Sequence, residues 1–314
     1  MADTMTNSGE RPGGVVDLGG RTVSRLGYGA MALERFAGDT DAGVRLVREA
    51  IDLGVDHLDT ADFYGDSVSN AIIRAALRPG DDVVVATKVG ALKNPGGPLP
   101  LRAAQRPDEL RAAVDDNLRS LGVERLDLVY LRRLDVGPGI RAEGDQVVDL
   151  DDQLAALMAL RDDGLVGAIG VSAVDLDGLR RSLPAGVVAV QNAYGLVARQ
   201  FESMLELSAA NGVAWVPFFP LGSSFEGLPK AADQPEVQAA ATRLGVTSAQ
   251  IGLAWLLQHA PNALLIPGTG SIAHLRENVA AADILLDEST LTTLDALWAT
   301  RFAAVTDPQP RWSA

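Results

Sequence analysis

The feature that most constrains the fold is a regular alternation of short apolar, β-branched runs with amphipathic stretches. Such runs are typical of buried parallel strands, and the amphipathic stretches between them are typical of helices. Helices are predicted at residues 41–53, 69–77, 107–121 and 151–162. Strands are predicted at residues 23–26, 55–59, 82–88, 126–131, 167–171, 187–191, 212–217 and 263–267. Eight such repeats within 314 residues predict an α/β fold, a closed parallel (β/α)8 TIM barrel.

The alternative to a barrel is an open doubly wound sheet, which usually has a glycine-rich phosphate-binding turn after its first strand. The matching segment, Gly27-Tyr28-Gly29-Ala30-Met31, lacks the third glycine of that turn. Residues 13–21 are predicted to form an N-terminal β-hairpin that closes the bottom of the barrel. No linker divides the chain, so a single domain is expected over residues 15–304, with a flexible N-terminus at 1–14 and a short tail at 305–314.

The composition excludes several classes of function. A formal net charge of −14 argues against a nucleic-acid partner, because phosphate contacts need clustered lysine and arginine. The chain has no cysteine, and its three histidines, His57, His259 and His274, lack ligand spacing, so no metal site is expected. No apolar run is long enough for a signal peptide or a membrane span, so a cytoplasmic protein without a membrane partner is expected, its oligomeric state left open.

An acid, a phenol and an amine lie at the ends of two successive predicted strands. Asp59 ends the second strand, Tyr64 follows five residues later, and Lys88 ends the third strand. The carboxyl ends of barrel strands meet at one mouth, so the three side chains are expected to lie together. An isolated tyrosine has a pKa of about 10, and a neighbouring ammonium lowers that pKa by favouring the phenolate. Tyr64 is therefore predicted to donate a proton to a carbonyl oxygen while hydride reaches the carbon, with Asp59 holding Lys88 charged. Taken singly, Asp59 could be a helix cap, Tyr64 an aromatic side chain at the rim and Lys88 a solvated strand end. These separate roles do not explain why the three residues occur at this spacing.

The same residues belong to a pattern that extends over nearly the whole chain. It includes Leu58-Asp59-Thr60-Ala61-Asp62-Phe63-Tyr64-Gly65, Ala86-Thr87-Lys88-Val89-Gly90, Gly170-Val171-Ser172, Gln191-Asn192 and Arg276-Glu277-Asn278. This pattern resembles the aldo-keto reductase superfamily. The runs Phe218-Phe219-Pro220-Leu221-Gly222 and Leu265-Ile266-Pro267-Gly268-Thr269 are most similar to the bacterial pyridoxal reductase-like members. The resemblance implies a (β/α)8 barrel that binds NADPH without a Rossmann domain and reduces aldehydes or ketones.

One position departs from the superfamily pattern. Where most members have a catalytic histidine at the end of the fourth strand, this chain has Arg132, as do the pyridoxal reductase-like members. An arginine cannot shuttle a proton, but its guanidinium can donate a hydrogen bond to a carbonyl oxygen and stabilise the developing alkoxide. Arg132 is therefore predicted to be a catalytic residue that orients the carbonyl, which leaves Tyr64 as the acid. The alternative is a salt-bridged strand end.

The resemblance also implies the residues that bind the cofactor. Ser172 and Gln191 correspond to residues that hydrogen-bond the nicotinamide carboxamide, and Phe218 corresponds to a tyrosine that stacks on the ring. Ala173 replaces an asparagine, so one carboxamide contact is expected to be missing. NADPH is the expected cofactor, and NADH stays open because His274 and glycines replace basic residues that bind the 2′-phosphate in many relatives. The remaining implied contacts are Gly29, Met31, Pro220, Leu221, Gly268, Thr269, His274, Arg276 and Asn278.

The substrate is expected to be a small-molecule carbonyl compound. The aromatic candidates for its pocket are Phe63, Tyr130, Phe219, Phe225 and Trp312, and two long loops, residues 90–106 and 137–148, follow strands on the same face. Arg132 and Arg133 favour a substrate that bears a phenolate or an acidic group, as pyridoxal does. Two other functions stay open. One is a non-catalytic NADPH-binding regulatory subunit, against which the intact catalytic residues argue, and the other is a different reaction on a bound nicotinamide, such as dehydration or epimerisation.

Overall fold

Seven parallel strands form one curved sheet in the computed structural model, which describes residues 11–137, 139–222 and 229–303. In chain order, all the strands of the described residues, inside and outside this sheet, are β1 (Val15–Asp17), β2 (Thr22–Ser24), β3 (Tyr28–Gly29), β4 (His57–Asp59), β5 (Val84–Val89), β6 (Ala91–Lys93), β7 (Leu101–Ala103), β8 (Leu126–Arg132), β9 (Val166–Ser172), β10 (Ala189–Gln191) and β11 (Ala214–Trp215). Two antiparallel hairpins, β1–β2 and β6–β7, stand outside the sheet. From β3 to β11 the order of strands in the sheet follows the chain, as successive βαβ units produce.

The eighth predicted strand closes the sheet into a barrel. Ala263 forms a parallel bridge with Trp215 of β11, and Leu265 forms one with Leu26, two residues before β3 begins. The Gly27 amide donates to the Leu265 carbonyl at 2.7 Å, which extends the second bridge. The two edges of the sheet are thus joined through this segment, and the predicted (β/α)8 barrel is confirmed.

The first barrel strand differs from the prediction. Residues 22–24 pair with β1 as a hairpin, and the barrel strand is β3, which comes later in the chain. The cause is a turn in which the Leu18 amide donates to the Arg21 carbonyl at 2.8 Å, so that the chain folds back on itself. Leu18 and Val23 join the cluster inside the barrel with Val84. The hairpin therefore covers the bottom of the barrel, but it extends to Ser24 instead of ending at Arg21 as predicted.

Helices surround the barrel and bury one face each against it. They are α1 (Thr40–Asp52), α2 (Val68–Ala76), α3 (Pro107–Leu121), α4 (Leu150–Asp162), α5 (Leu176–Ser182), α6 (Glu202–Ala210), α7 (Pro235–Leu244), α8 (Ser248–His259), α9 (Ile272–Ala280) and α10 (Glu288–Leu297). Helix α3 shows how sequence signals set the ends, with Pro107 in its first position and Gly122, at φ 70°, directly after its last. None of the described helices combines the length and the hydropathy that crossing a membrane requires.

A cluster of charged side chains joins α6 to α8. Glu202 accepts hydrogen bonds from the Tyr194 hydroxyl and from Arg199 Nε, both at 2.7 Å, and its other oxygen lies 2.8 Å from a ring nitrogen of His259. Burial raises the pKa of Glu202, but the hydrogen bonds with His259, Arg199 and Tyr194 outweigh burial and lower this pKa to about 2.

Protein stability is expected to fall as the pH decreases from 4.5 to about 2. The unfolded chain protonates Glu202 near its ordinary pKa of 4.5, whereas the folded protein keeps it ionised down to about 2, so its contribution is lost across this window. With a third of its side chain exposed (33%), Glu202→Gln should lower the free energy of unfolding at pH 7 by only about 1 kcal/mol. Urea denaturation at several pH values should show this difference shrinking toward pH 2, and a constant difference would contradict the assignment.

Candidate active site

The three residues expected at the barrel mouth lie together at the ends of β4 and β5. The Lys88 ammonium donates hydrogen bonds to Asp59 Oδ1 and to the Thr60 carbonyl, the latter at 2.9 Å. Lys88 Nζ lies 5.1 Å from the centroid of the Tyr64 ring. Asp59 and Lys88 are buried, whereas Tyr64 is half-buried. The phenol is therefore the member of this group that a substrate can reach.

Lys88 stays charged although it is buried. Burial lowers the pKa of an ammonium, but the charges and hydrogen bonds of Asp59 and Tyr64 outweigh burial and raise the pKa of Lys88 above its ordinary value. An ammonium held in this way against a phenol stabilises the phenolate that remains once the phenol has given up its proton.

Gln191 holds Asp59 from a second side. Its Nε2 donates to Asp59 Oδ2 at 2.6 Å. An ionised carboxylate can only accept, so this bond fixes which end of the carboxamide faces Asp59. Gln191 Oε1 is then left buried, with no hydrogen-bond partner in the part of the chain that the structure describes. The sequence predicts Gln191 only as a cofactor ligand, and the bond to Asp59 is a second contact that the sequence does not indicate.

A buried amide network fixes the loop after β4. Thr60 Oγ1 donates to Asn70 Oδ1 at 2.8 Å, and Asn70 Nδ2 donates to Asn117 Oδ1 at 3.2 Å. Thr87 of β5 donates to the same Asn117 oxygen at 2.5 Å. Asn70 and Asn117 are buried on α2 and α3. Sequence reasoning missed both residues, and the signal that could have found them is a polar side chain on the apolar face of each helix.

Arg132 reaches the same group from the end of β8. Its guanidinium carbon lies 5.9 Å from the centroid of the Phe63 ring. Burial lowers the pKa of Arg132, and the nearby Tyr64 opposes this shift, so the guanidinium stays charged beside the phenol. The ion pairs formed among the described residues do not include Arg132. The described ion pairs therefore do not support the alternative interpretation of Arg132 as a salt-bridged strand end.

The neighbouring Arg133 has a different environment. Its Nε and Nη2 donate to the Asp135 carboxylate at 3.1 and 3.0 Å. Its Nη1 donates to the Val148 carbonyl at 2.8 Å and to Gln153 of α4. These bonds commit Arg133 to the protein interior, so Arg132 is the member of the predicted pair that can meet a substrate.

Backbone strain is concentrated at the same end of the barrel. Among the described residues, the non-glycine positions with positive φ are Asp66 (62°), Ser67 (64°), Leu134 (66°), Ala173 (53°) and Phe219 (55°). Each lies in a loop that follows the carboxyl end of a barrel strand. This conformation costs an ordinary residue about 1–2 kcal/mol and persists mainly where function or packing requires it. The strain marks this mouth as the functional end without reference to any relative.

The residues expected to bind the cofactor lie at strand ends and in loops on this face. Three of them are the last residues of strands β3, β9 and β10, namely Gly29, Ser172 and Gln191. Met31 comes two residues after Gly29 and is exposed. The others lie in loops: Phe218, Pro220 and Leu221 after β11, and Gly268 and Thr269 before α9. Gly29 and Gly268 are in backbone contact, because a Cβ on Gly268 would lie 2.7 Å from the Gly29 carbonyl oxygen. The Tyr28 hydroxyl donates to the Thr269 carbonyl at 2.7 Å and holds this loop in place.

Helix α9 carries the remaining expected contacts. His274 is exposed, and its amide donates to the Ser271 hydroxyl at the start of the helix at 3.4 Å. Arg276 Nε donates to Glu49 of α1 at 2.8 Å, an ion pair that the sequence does not reveal. Asn278 is buried. The structure thus leaves both His274 and Arg276 exposed near the loop, with only Nε of Arg276 bound to α1.

Apolar side chains line the mouth beside Tyr64. Ala61, Phe63 and Ala91 form a small cluster with Tyr64, Leu101 and Ile140. Phe219 is half-buried, but Tyr130 is fully buried against Gly170 inside the barrel, so its expected place in the pocket wall is wrong. Phe225 and Trp312 lie outside the described residues. Within the described ranges, no cluster of His, Asp or Glu side chains could hold a metal ion.

Comparison with known proteins gives matches over most of the chain. Residues 25–299 match the Aldo/keto reductase family. The chain is 43% identical to the pyridoxine 4-dehydrogenase of Escherichia coli strain K12 over 290 residues, which cover 89% of this chain and 96% of that protein. The crystal structure of an aldo-keto reductase from Klebsiella pneumoniae in complex with NADPH has a TM-score of 0.75 at 26% identity, covering 95% and 96% of the two chains. A second aldo/keto reductase structure from that organism, with NADP and acetate, has a TM-score of 0.75 at 25% identity, covering 97% and 98%. The resemblance seen in the motifs is confirmed, and the chain is an oxidoreductase of the aldo/keto reductase family.

Proposed function

We propose that the protein reduces the aldehyde of pyridoxal, or of a similar aromatic aldehyde that bears an oxyanion, with NADPH as hydride donor and Tyr64 as proton donor. The observation that carries this proposal is Arg132, a cation beside Tyr64 and the Phe63 ring that no described carboxylate neutralises. The similarity to the pyridoxine 4-dehydrogenase of Escherichia coli supports it.

The group at the mouth can deliver a proton to a carbonyl oxygen. The Tyr64 hydroxyl donates its proton there, and the Lys88 ammonium stabilises the phenolate that is left. Asp59, held by Gln191, keeps Lys88 charged and in place. Arg132 donates a hydrogen bond to the same oxygen and stabilises the charge that develops on it. NADPH, when bound, supplies the hydride that reduces the carbonyl carbon.

The residues at the strand ends fit a nicotinamide carboxamide. Gln191 Oε1 is a buried acceptor that makes no hydrogen bond of normal length among the described residues. The Tyr130 hydroxyl lies near Gln191, and a carboxamide NH2 group would compete with it for Oε1. Ser172 is paired with Gln191 in the sheet register, which sets its hydroxyl at the same level of the barrel. For the 2′-phosphate of NADPH, exposed His274 and Arg276 are the candidate contacts, because the ion pair with Glu49 engages only Nε of Arg276 and leaves 64% of its side chain exposed.

Arg132 and Phe63 together suit a flat aromatic anion. In pyridoxal the phenolate oxygen is adjacent to the aldehyde, so a planar guanidinium that reaches the carbonyl also reaches the phenolate. The apolar cluster around Phe63 and Ala91 offers a surface on which the aromatic ring packs. A neutral aldehyde would gain the same apolar contact without the charge-assisted hydrogen bond.

Steady-state kinetics with pyridoxal and with pyridine-4-carbaldehyde, which lacks the phenolate, test this proposal. We expect kcat/KM to be about 10- to 100-fold higher for pyridoxal, the effect of one charge-assisted hydrogen bond. Arg132→Met should remove the preference. Arg243→Met, the matched control, removes an arginine of α7 that is paired with Asp287 and should keep it. Equal kcat/KM values for the two aldehydes in the wild type would contradict an anionic substrate.

An Ala173→Asn variant is expected to bind NADPH more tightly with little net change in stability. Ala173 has a φ of 53°, a conformation that asparagine tolerates better than alanine, but Ala173 is buried, so the cost of placing a polar side chain there offsets the relief of backbone strain. The side chain should also restore the missing contact to the nicotinamide carboxamide and lower the Kd for NADPH. Urea denaturation and a fluorescence titration with NADPH measure the two effects. Lower stability together with an unchanged Kd would contradict this prediction.

A further inference from the structure

We propose that Gln105 is a positioning residue that fixes the wall of the substrate pocket and thereby sets the preference for aromatic over short aliphatic aldehydes. The wall consists of two loops, residues 90–106, which contain the β6–β7 hairpin, and residues 139–148; we call them the substrate loops. This inference rests on the proposed carbonyl reduction at Tyr64.

One side-chain amide of Gln105 joins two strand ends. Gln105 Nε2 donates to the Gly90 carbonyl at 2.5 Å and to the Arg132 carbonyl at 2.7 Å. The last residue pair in the β5–β8 register is Val89 with Leu131, so both carbonyls lie just beyond the ladder. At Gly90, φ is +101° and a Cβ would lie 2.9 Å from Gln105 Nε2, so a larger residue does not fit there. This amide therefore holds together the end of β5, just after Lys88, and the end of β8, which carries Arg132.

The other polar groups of Gln105 are bound to the second substrate loop and to α4. Its backbone amide donates to Gln146 Oε1 at 2.7 Å. Its backbone carbonyl and its Oε1 accept from Gln153 Nε2 at 2.7 and 2.9 Å. Gln105 and Gln153 are both buried, and Arg133 donates to Gln153 from the other side. Removal of the Gln105 amide would therefore leave several buried polar groups without partners.

The loops that Gln105 joins supply the apolar surface beside Tyr64. Residues from both loops, Ala91 and Leu101 from the first and Ile140 from the second, pack in the cluster of Phe63. An aromatic aldehyde is large enough to contact this surface. A short aliphatic aldehyde does not reach this surface and depends on Tyr64, Arg132 and the cofactor. The pairing of Arg132 with Ser172 in the β8–β9 ladder keeps Arg132 in place without Gln105. Loosening the substrate loops should therefore weaken binding of the aromatic substrate selectively.

A Gln105→Met variant tests the inference, because methionine keeps the length of the side chain and removes its donors. With NADPH saturating, we expect kcat/KM for pyridine-4-carbaldehyde to fall about 30-fold, mainly through KM, and kcat/KM for propanal to fall less than about threefold. The Kd for NADPH should not change. Gln258→Met is the matched control, since its amide also bridges two carbonyls, those of Ala254 and Ile284, each at 3.1 Å. It should lower the Tm without changing the ratio of the two kcat/KM values.

A second variant, Gln146→Met, covers the case in which Gln105→Met does not fold. Gln146 is half-buried, and its substitution removes the bond to the Gln105 backbone and a second bond to Glu109 of α3 at 3.0 Å. The ratio should change in the same direction by about threefold. An equal loss for both aldehydes, or no loss for either, would overturn the proposed role of Gln105. A wild type that reduces no aldehyde would instead overturn the carbonyl reduction itself.

Discussion

A Tyr64→Phe variant is expected to lose about 10²- to 10⁴-fold in kcat while it keeps its affinity for NADPH. The substitution removes only the hydroxyl that is proposed to donate the proton. The ring and its edge contact with Phe63, 5.2 Å between centroids, are kept. Lys88 remains bound to Asp59, so the electrostatics of the cofactor site should change little. Single-turnover kinetics and a fluorescence titration with NADPH separate the chemical step from binding.

The matched control for this variant is Tyr194→Phe. Tyr194 is a buried tyrosine whose hydroxyl donates to Glu202 at 2.7 Å rather than facing the group around Lys88. This variant should be less stable and should retain kcat. Wild-type kcat in Tyr64→Phe would show that the proton comes from another group. A protein that only binds NADPH as a regulator would have no turnover for either substitution to change.

An Asp59→Asn variant is expected to lose stability and activity together. Asp59 accepts hydrogen bonds from both Lys88 and Gln191 in a buried setting. Without the carboxylate, Lys88 is a buried ammonium whose charge is not compensated, a change that destabilises by about 3–5 kcal/mol. The pKa of Lys88 should also fall, because burial then outweighs the remaining attraction to Tyr64. Urea denaturation and kcat at pH 7 measure the two losses.

A double variant, Asp59→Asn with Lys88→Met, separates the loss of charge balance from a general loss of packing. Removal of both charges should recover most of the lost stability, since a buried ion pair is often replaced at little net cost. Activity should not recover, because no ammonium then stabilises the Tyr64 phenolate. If Asp59→Asn alone is as stable as the wild type, Asp59 is not the group that keeps Lys88 charged.

The positions of Asp59, Tyr64 and Lys88 could be predicted because they depend on strand ends. Once the alternation of runs indicates a barrel, every residue that ends a strand is placed at one mouth, and errors of a residue at the helix ends do not change that result. The position of Arg132 could be predicted for the same reason, because Arg132 ends β8. The first strand could not be placed correctly, because the same short run can pair with either the barrel or the N-terminal hairpin.

The contacts that complete the site depend on pairs that are distant in sequence. Gln191 and Asp59 are 132 residues apart, and Arg276 and Glu49 are 227 residues apart. The four bonded groups of Gln105 involve a loop that the sequence predicts without internal structure. Such pairs are set by packing and side-chain rotamers after the fold has formed, and periodicity carries no signal for them.

The stoichiometry of NADPH oxidation with pyridoxal is the most direct measurement of carbonyl reduction at this site. We predict that one NADPH is consumed for each pyridoxine formed, and that deuterium from the C4 position of labelled NADPH is recovered on the new alcohol carbon. Conversion of a substrate without net consumption of NADPH would indicate a dehydration or an epimerisation instead. NADPH that binds but is not oxidised by pyridoxal or by any other aldehyde would contradict carbonyl reduction by this protein.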